Sequence, residues 1–385
     1  MTDTIKRRDM LRRSAMFSLG MAGANNVRAQ DEEDPFPHMR IEYKSPAKYS
    51  PLAYLQNVKD SIKPEFAFNA GNRTEAEEWQ RKARSKLWDV LGERHKPAKN
   101  SHNAVLLEKP VKLDGYTREK WELEVLPGSS MPFYVLRPEK KQKVNKTALC
   151  LHGHGNGVKD IIGMPVDKEA AELIDILKDD YGVQTVKRGW VVVAPELWSF
   201  GERLDLVEGA REGFDGGCEK PHLNAIEVGK SSIGIRAKDI CMLIDWISTR
   251  GDIDMDNLTC LGLSGGGMMT MYTSALDTRI KRVLISGYLT TMKGSILGVR
   301  HCGCNYVPHL AECMDFTDIT GLIAPRFLIA QSGRRDMIFP IASFREAVGD
   351  VKAIYRVFGK ENNFLAHEHN GFHMFHRPSL DDLLV

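Results

Sequence analysis

Residues 258–269 read Leu-Thr-Cys-Leu-Gly-Leu-Ser-Gly-Gly-Gly-Met-Met: a short apolar run, a serine between glycines, then an apolar helical run. A strand that must turn at once into a helix leaves the residue at the turn in strained backbone geometry, where only tiny neighbours fit. Gly262 and Gly266 supply that room around Ser264. The turn exposes the serine oxygen near the first amides of the following helix, which favour developing negative charge. Other glycine-rich turns bind phosphate. No lysine follows the glycines as a phosphate-binding loop needs, and no dinucleotide-binding pattern surrounds them. Ser264 is therefore the candidate nucleophile.

Upstream, the apolar run 147–151 ends in His152-Gly153-His154-Gly155-Asn156-Gly157. Acyl transfer needs two backbone N–H donors aimed at the oxygen of a tetrahedral intermediate. Gly265, directly after Ser264, is the expected first donor, and His154 or Gly155 the second. Downstream, the run 326–331 leads into Ser332-Gly333-Arg334-Arg335-Asp336, which places a carboxylate just beyond a strand end and makes Asp336 the candidate acid. The last histidine-rich stretch offers His367, His369, His373 and His376. His373, in Asn-Gly-Phe-His, is the expected base, with His369 the alternative. The order serine, acid, histidine suits a sheet that carries all three on one rim.

The rest of the chain reads as α/β. Residues 75–91 place Trp79, Ala83, Leu87 and Leu91 four apart, one buried helix face within a polar stretch, 30–114, read as a helical extension. Residues 117–125 alternate polar and apolar and 132–136 follow a Pro-Gly-Ser turn, which predicts an antiparallel edge pair. Continuous apolar runs at 147–151, 190–194, 258–263, 282–286, 327–331 and 353–357 suit strands covered on both faces. Helical stretches at 226–249 and 265–275 lie between them. The expectation is a mostly parallel, eight-stranded sheet flanked by helices, filling a catalytic domain over 115–385. Arg236, Asp239 and Asp245 are expected to form ion pairs that anchor the long helix before the nucleophile strand.

Lysine and arginine total 53 against 51 aspartate and glutamate, a net charge of +2, so no basic excess is available for a nucleic acid. The first 29 residues differ. Arg7-Arg8 precedes a short apolar run, and Val27-Arg28-Ala29 ends it with small residues at a cleavage spacing. They predict a twin-arginine-type signal peptide, an exported periplasmic or secreted protein, and no membrane insertion after cleavage. Of seven cysteines, Cys150, Cys241 and Cys260 sit in apolar runs as core residues. Cys302-Gly303-Cys304 has no second cysteine or histidine pair at zinc spacing, so no metal or other cofactor is expected. A bridge from Cys302 or Cys304 to Cys313 stays open.

Taken in order, LCLHGHGNG, VVAPELWSFGER, GLSGGGMM, HCGCNYVPHL, SGRRDMIFP and NGFHMF resemble the α/β-hydrolase superfamily. The likeness is to its acetyl-xylan-esterase-like and dienelactone-hydrolase-like branch of exported bacterial esterases. The resemblance implies an α/β-hydrolase fold and carboxylic-ester hydrolysis, with a carbohydrate or small-molecule ester as substrate. Dienelactone hydrolases use a cysteine nucleophile, whereas this chain has Ser264, which favours esterase chemistry. Trp198, Phe200 and Tyr306 are candidate pocket walls. Two rivals remain: a prolyl-oligopeptidase-like serine peptidase, and a silent hydrolase-fold binding protein. The first normally carries a propeller or other size filter, for which residues 30–114 are too few. The second would have no reason to keep all three site residues.

Overall fold

The computed structural model describes residues 47–97, 104–140, 142–204 and 217–385. The expected signal peptide and the acidic run after it lie outside the described residues. The chain divides into two compact units, 1–62 and 63–385. In the first, helix α1 (Pro51–Ser61) starts where Ser50 accepts the Ala53 amide and Pro51 occupies the first turn.

In the second unit, α2 (Arg73–Val90) is capped by Asn72, whose side chain accepts the Glu75 amide. The four-residue spacing turns Ala76, Trp79, Ala83 and Leu87 inward as expected. Buried Gln80 donates to the carbonyls of Gly321 and Ala324, and Arg84 donates to that of Ala275. These bonds seat α2 on the rest of the second unit. Two short strands follow, β1 (Ala104–Leu106) and β2 (Val111–Leu113). Residues 30–114 are thus not helical throughout, because their last part pairs with the edge of the sheet.

The remaining strands are β3 (Tyr116–Leu126), β4 (Ser129–Pro138), β5 (Thr147–Leu151), β6 (Val191–Pro195), β7 (Thr259–Leu263), β8 (Arg282–Ser286), β9 (Phe327–Gly333) and β10 (Phe364–His369). The sheet order is β1-β3-β4-β6-β5-β7-β8-β9-β10, with β2 paired to β3. The β3–β4 and β4–β6 pairs are antiparallel, and every pair from β6 to β10 is parallel. Seven of the eight expected strands are β3–β9; β10, which the sequence did not single out, and the edge strands β1 and β2 bring the sheet to ten.

Successive residues of the central strands face opposite layers. Leu149, Val193, Cys260, Val283 and Ala330 join one core cluster, while Cys150, Val192, Leu261, Leu284 and Ile329 join the other. Burial on both faces explains why these strands read as unbroken apolar runs. Helices α3 (Lys168–Leu177), α4 (Tyr181–Val186), α5 (Glu219–Glu227), α6 (Ser232–Ser248), α7 (Gly265–Leu276), α8 (Phe316–Gly321), α9 (Ile341–Val357) and α10 (Ser379–Leu383) connect and flank the strands.

One strand was misplaced. Residues 353–357 are the last turns of α9, which buries Phe344, Ala347, Val351, Ile354 and Tyr355 at helical spacing. The strand that follows β9 is β10, eleven residues nearer the C-terminus. Arg236 is also not the ion pair expected of it: it is buried, donates to the Trp198 carbonyl and lies 4.8 Å over the Phe200 ring. Asp239 pairs with Arg203 at 2.8 Å and Asp245 with Arg279 at 2.6 Å, so those two carboxylates do tie α6 to its neighbours.

Candidate active site

Ser264 sits between β7 and α7 with φ 58° and ψ −120°. A non-glycine residue there costs about 1–3 kcal/mol, a strain that persists only where the surroundings over-determine it. The surroundings here are glycines pressed on backbone. A Cβ on Gly266 would lie 1.9 Å from the Leu151 carbonyl oxygen, and one on Gly262 would lie 2.5 Å from the same atom. A Cβ on Gly153 would lie 2.9 Å from the Leu263 oxygen and 3.4 Å from Ser264 Cβ. The loop after β5 is thereby clamped to the serine turn. The Ser264 hydroxyl caps no amide of α7. It is left at the positive end of a twelve-residue helix.

Asp336 follows β9, and its Oδ1 accepts the amides of Ile338 and Phe339, both at 2.9 Å. Its Oδ2 meets Nδ1 of His373 at 2.7 Å. Burial opposes charge on Asp336, but His373 and the two amides outweigh it and hold the carboxyl below its usual range. An ionised Oδ2 can only accept, so Nδ1 of His373 donates. The imidazole is held flat by Phe339, stacked at 5.6 Å, and by Gly287 (φ 55°) below it. A Cβ on Gly287 would lie 3.0 Å from His373 Cε1 and 3.3 Å from Leu263 Cδ1. The histidine and the serine turn thus meet over one glycine.

Nε2 of His373 is buried and has no hydrogen-bond partner among the described residues. The bond from the Ser264 hydroxyl expected of a fully assembled triad is therefore not formed here. Such contacts commonly tighten only when substrate is in place. His369, the alternative base, faces elsewhere. Its Nδ1 accepts the Gly371 amide at 3.1 Å and its ring stacks on His376 at 5.0 Å. Burial, with the neighbouring His376, pushes its pKa down to about 4.

The loop after β5 is organised by a group the sequence did not single out. Fully buried Glu196, at the end of β6, accepts the Val158 amide at 3.0 Å and faces His152 Nε2 at 3.2 Å. Gly157 and Gly201, both with positive φ, pass so close that a Cβ on either would lie 2.2 Å or less from a Glu196 oxygen. His152 donates from Nδ1 to the Gly153 carbonyl at 2.8 Å, and its Nε2 accepts the Leu197 amide at 3.0 Å. Gly155 is needed because a Cβ there would lie 2.5 Å from Asp160 Oδ2, which itself accepts the Asn156 amide.

His154 behaves differently. One edge packs on Gly265, with Nδ1 3.1 Å from where a Cβ would stand. Its Nε2 faces Cys304 Sγ at 3.3 Å and Cys218 Sγ at 3.6 Å, and Cys218 meets Cys302 at 3.0 Å. The fold thus brings His154, Cys218, Cys302 and Cys304 together from separate loops that are far apart in sequence. No bridge to Cys313 forms, and all seven cysteines are free thiols. Half-buried Tyr306 donates to the Ile296 carbonyl at 3.0 Å, the backbone carbonyl of Trp198 accepts from Arg236, and Phe200 sets its ring edge-on to His152 and His154 at 5.2 and 5.3 Å.

The model of the Abhydrolase family matches residues 45–382. The chain belongs to that family. A Bacillus subtilis (strain 168) protein named as a hydrolase, YtaP, is 28% identical over 233 residues, 58% of this chain and 71% of its own. Among solved structures, a Bacteroides fragilis NCTC 9343 protein named as an acetyl xylan esterase superposes with a TM-score of 0.70 at 21% identity, covering 83% of this chain and 82% of that one. A glucuronoyl esterase from Solibacter usitatus gives a TM-score of 0.57 at 13% identity over 85% and 98%. These likenesses establish the α/β-hydrolase fold for this family member. No helix among the described residues is long and apolar enough to cross a membrane.

Proposed function

We propose that this chain is an exported serine esterase that cleaves carboxylic esters through an acyl-enzyme, with acetylated carbohydrate as the substrate class. His373 Nε2 takes the proton of the Ser264 hydroxyl as its oxygen attacks the ester carbonyl. The proton is then given to the leaving alcohol, and the same histidine activates the water that releases the acid. Asp336 fixes the tautomer of His373 and stabilises the imidazolium. The amides of Gly265 and of His154 or Gly155 receive the oxyanion, each contributing on the order of 100- to 1,000-fold in rate. Trp198 and Tyr306 flank the substrate. Residues 1–29 direct export, 30–114 form an extension, and 115–385 carry the catalysis.

The observation that carries this reading is the strained Ser264, at φ 58°, beside a histidine locked to a buried carboxylate at 2.7 Å. A silent scaffold has no need to hold a serine in that conformation. The names of the similar structures, an acetyl xylan esterase and glucuronoyl esterases, support the carbohydrate-ester class. The test is a panel of acetylated xylo-oligosaccharides, glucuronate methyl esters, 4-nitrophenyl acetate and a dipeptide amide, with wild type and Ser264→Ala. The expected result is turnover of acetyl esters by wild type alone. Cleavage of the amide in preference to every ester would replace the esterase with a peptidase.

A further inference from the structure

We propose a structural zinc site formed by His154, Cys218, Cys302 and Cys304, which ties three loops together behind the loop that follows β5. One ligand atom from each of the four lies within 4.8 Å of every other. Zinc bonds of about 2.3 Å to sulfur and about 2.0 Å to nitrogen put tetrahedral ligand atoms about 3.5–3.8 Å apart. The separations of 3.0, 3.3 and 3.6 Å between these atoms need only sub-ångström adjustment to close on such an ion.

The donor set is soft sulfur with one imidazole, which selects zinc over the hard cations that prefer oxygen. Four protein ligands leave no open position, so the site is structural rather than catalytic. A disulfide accounts for less. It would join two of the three cysteines and leave the third facing Nε2 of His154 with no purpose for the convergence. Charge also balances. Three thiolates and an imidazole around a divalent cation carry one net negative charge. The buried guanidinium of Arg236 faces the sulfurs of Cys304 and Cys218, and its Nη2 has no hydrogen-bond partner among the described residues. A net negative metal centre would neutralise that buried cation, which has no carboxylate ion pair among the described residues.

The ligands come from the loop after β5 (His154), the residue before α5 (Cys218) and the long connection from β8 to α8 (Cys302 and Cys304). Zinc would fix the His154 ring, whose other edge packs on Gly265 beside the nucleophile. The metal site stands on its own donor geometry. Only its value for catalysis rests on the esterase reading, so the test reads metal and not turnover.

The full chain, purified with a histidine-free tag, is analysed by elemental mass spectrometry and zinc-edge X-ray absorption. The expectation is about one zinc per chain in a shell of three sulfurs near 2.3 Å and one nitrogen. The double variant Cys302→Ser/Cys304→Ser should lose the metal, and Cys313→Ser should keep it. Stripping zinc from wild type with a chelator should lower the unfolding midpoint by about 5 °C or more. Wild type that stays metal-free after incubation with zinc overturns the proposal. So does a shell of nitrogen and oxygen alone, or a Cys218–Cys302 disulfide as the main form in non-reducing peptide maps. The absorption spectrum is read on wild type, so the proposal remains testable even if the variants fail to fold.

Discussion

Replacing Glu196 by glutamine keeps its volume and removes its charge, at the point where the loop after β5 is anchored. Glu196 accepts the buried Val158 amide at 3.0 Å, lies 3.2 Å from His152 Nε2 and receives the Glu202 amide at 3.5 Å. Burial raises the cost of its charge, but His152 and those amides hold its pKa below the usual range, so it is ionised at neutral pH. A carboxamide can satisfy one side of this cluster and must turn N–H towards donors on the other. A hydrogen bond to a charged group contributes about 1.5–3 kcal/mol, and an unsatisfied buried donor costs a similar amount, so the loss is about 3 kcal/mol. At about 2.1 cal/mol/K per residue over the roughly 320 residues of this unit, that lowers the unfolding midpoint by about 4 °C. Displacing the loop after β5, which carries the proposed oxyanion donors, by a fraction of an ångström should also lower kcat for 4-nitrophenyl acetate about 10- to 100-fold. Differential scanning fluorimetry and steady-state kinetics 15 °C below the variant's midpoint separate the two effects. A Glu196→Gln protein with wild-type midpoint and kcat would refute the view that this carboxylate sets the loop.

Asp336→Asn should fold, because the amide oxygen still accepts from Ile338 and Phe339, yet its NH2 forces the proton of His373 onto Nε2. With the base occupied, kcat should fall by about 10⁴-fold, and a loss under tenfold would contradict the assigned role. His369 supplies a pH test. Its folded pKa near 4 lies below the ordinary value of 6.5, so the unfolded chain binds the proton first and stability declines as pH falls from about 6.5 towards 4. His369→Asn retains an acceptor for the Gly371 amide and should flatten that decline in urea titrations. An unchanged pH slope would exclude His369 as its source.

The central strands were readable because each is buried on both faces, so β5 and β8 appear in the sequence with their observed bounds. The places of Ser264 and Asp336 just beyond β7 and β9 were legible from the apolar runs before them, and the pairing of Asp336 with His373 follows from the strand ends that carry them. The end of α9 misled for a local reason: Ala-Ile-Tyr-Arg-Val has β-branched content, and its helical register shows only when Phe344, Ala347 and Val351 are counted with it. Glu196 and Gly287 were missed because their roles depend on which strand ends lie side by side, and the approach of Cys218 to His154 because it joins loops far apart in sequence. Glu196 carries no motif of its own, although its place directly after an apolar strand is the same signal that marked Asp336. Arg236 looked like one partner of an ion pair because its helix also carries carboxylates, but those point to Arg203 and Arg279.

The claim that Ser264 is the nucleophile is tested most directly by trapping it. Wild-type protein treated with a fluorophosphonate, digested and mapped by mass spectrometry should carry one adduct, on the peptide containing Ser264. Ser264→Ala should take up none while unfolding at the wild-type midpoint. An adduct on any other residue, or full reactivity retained in that variant, would contradict the account.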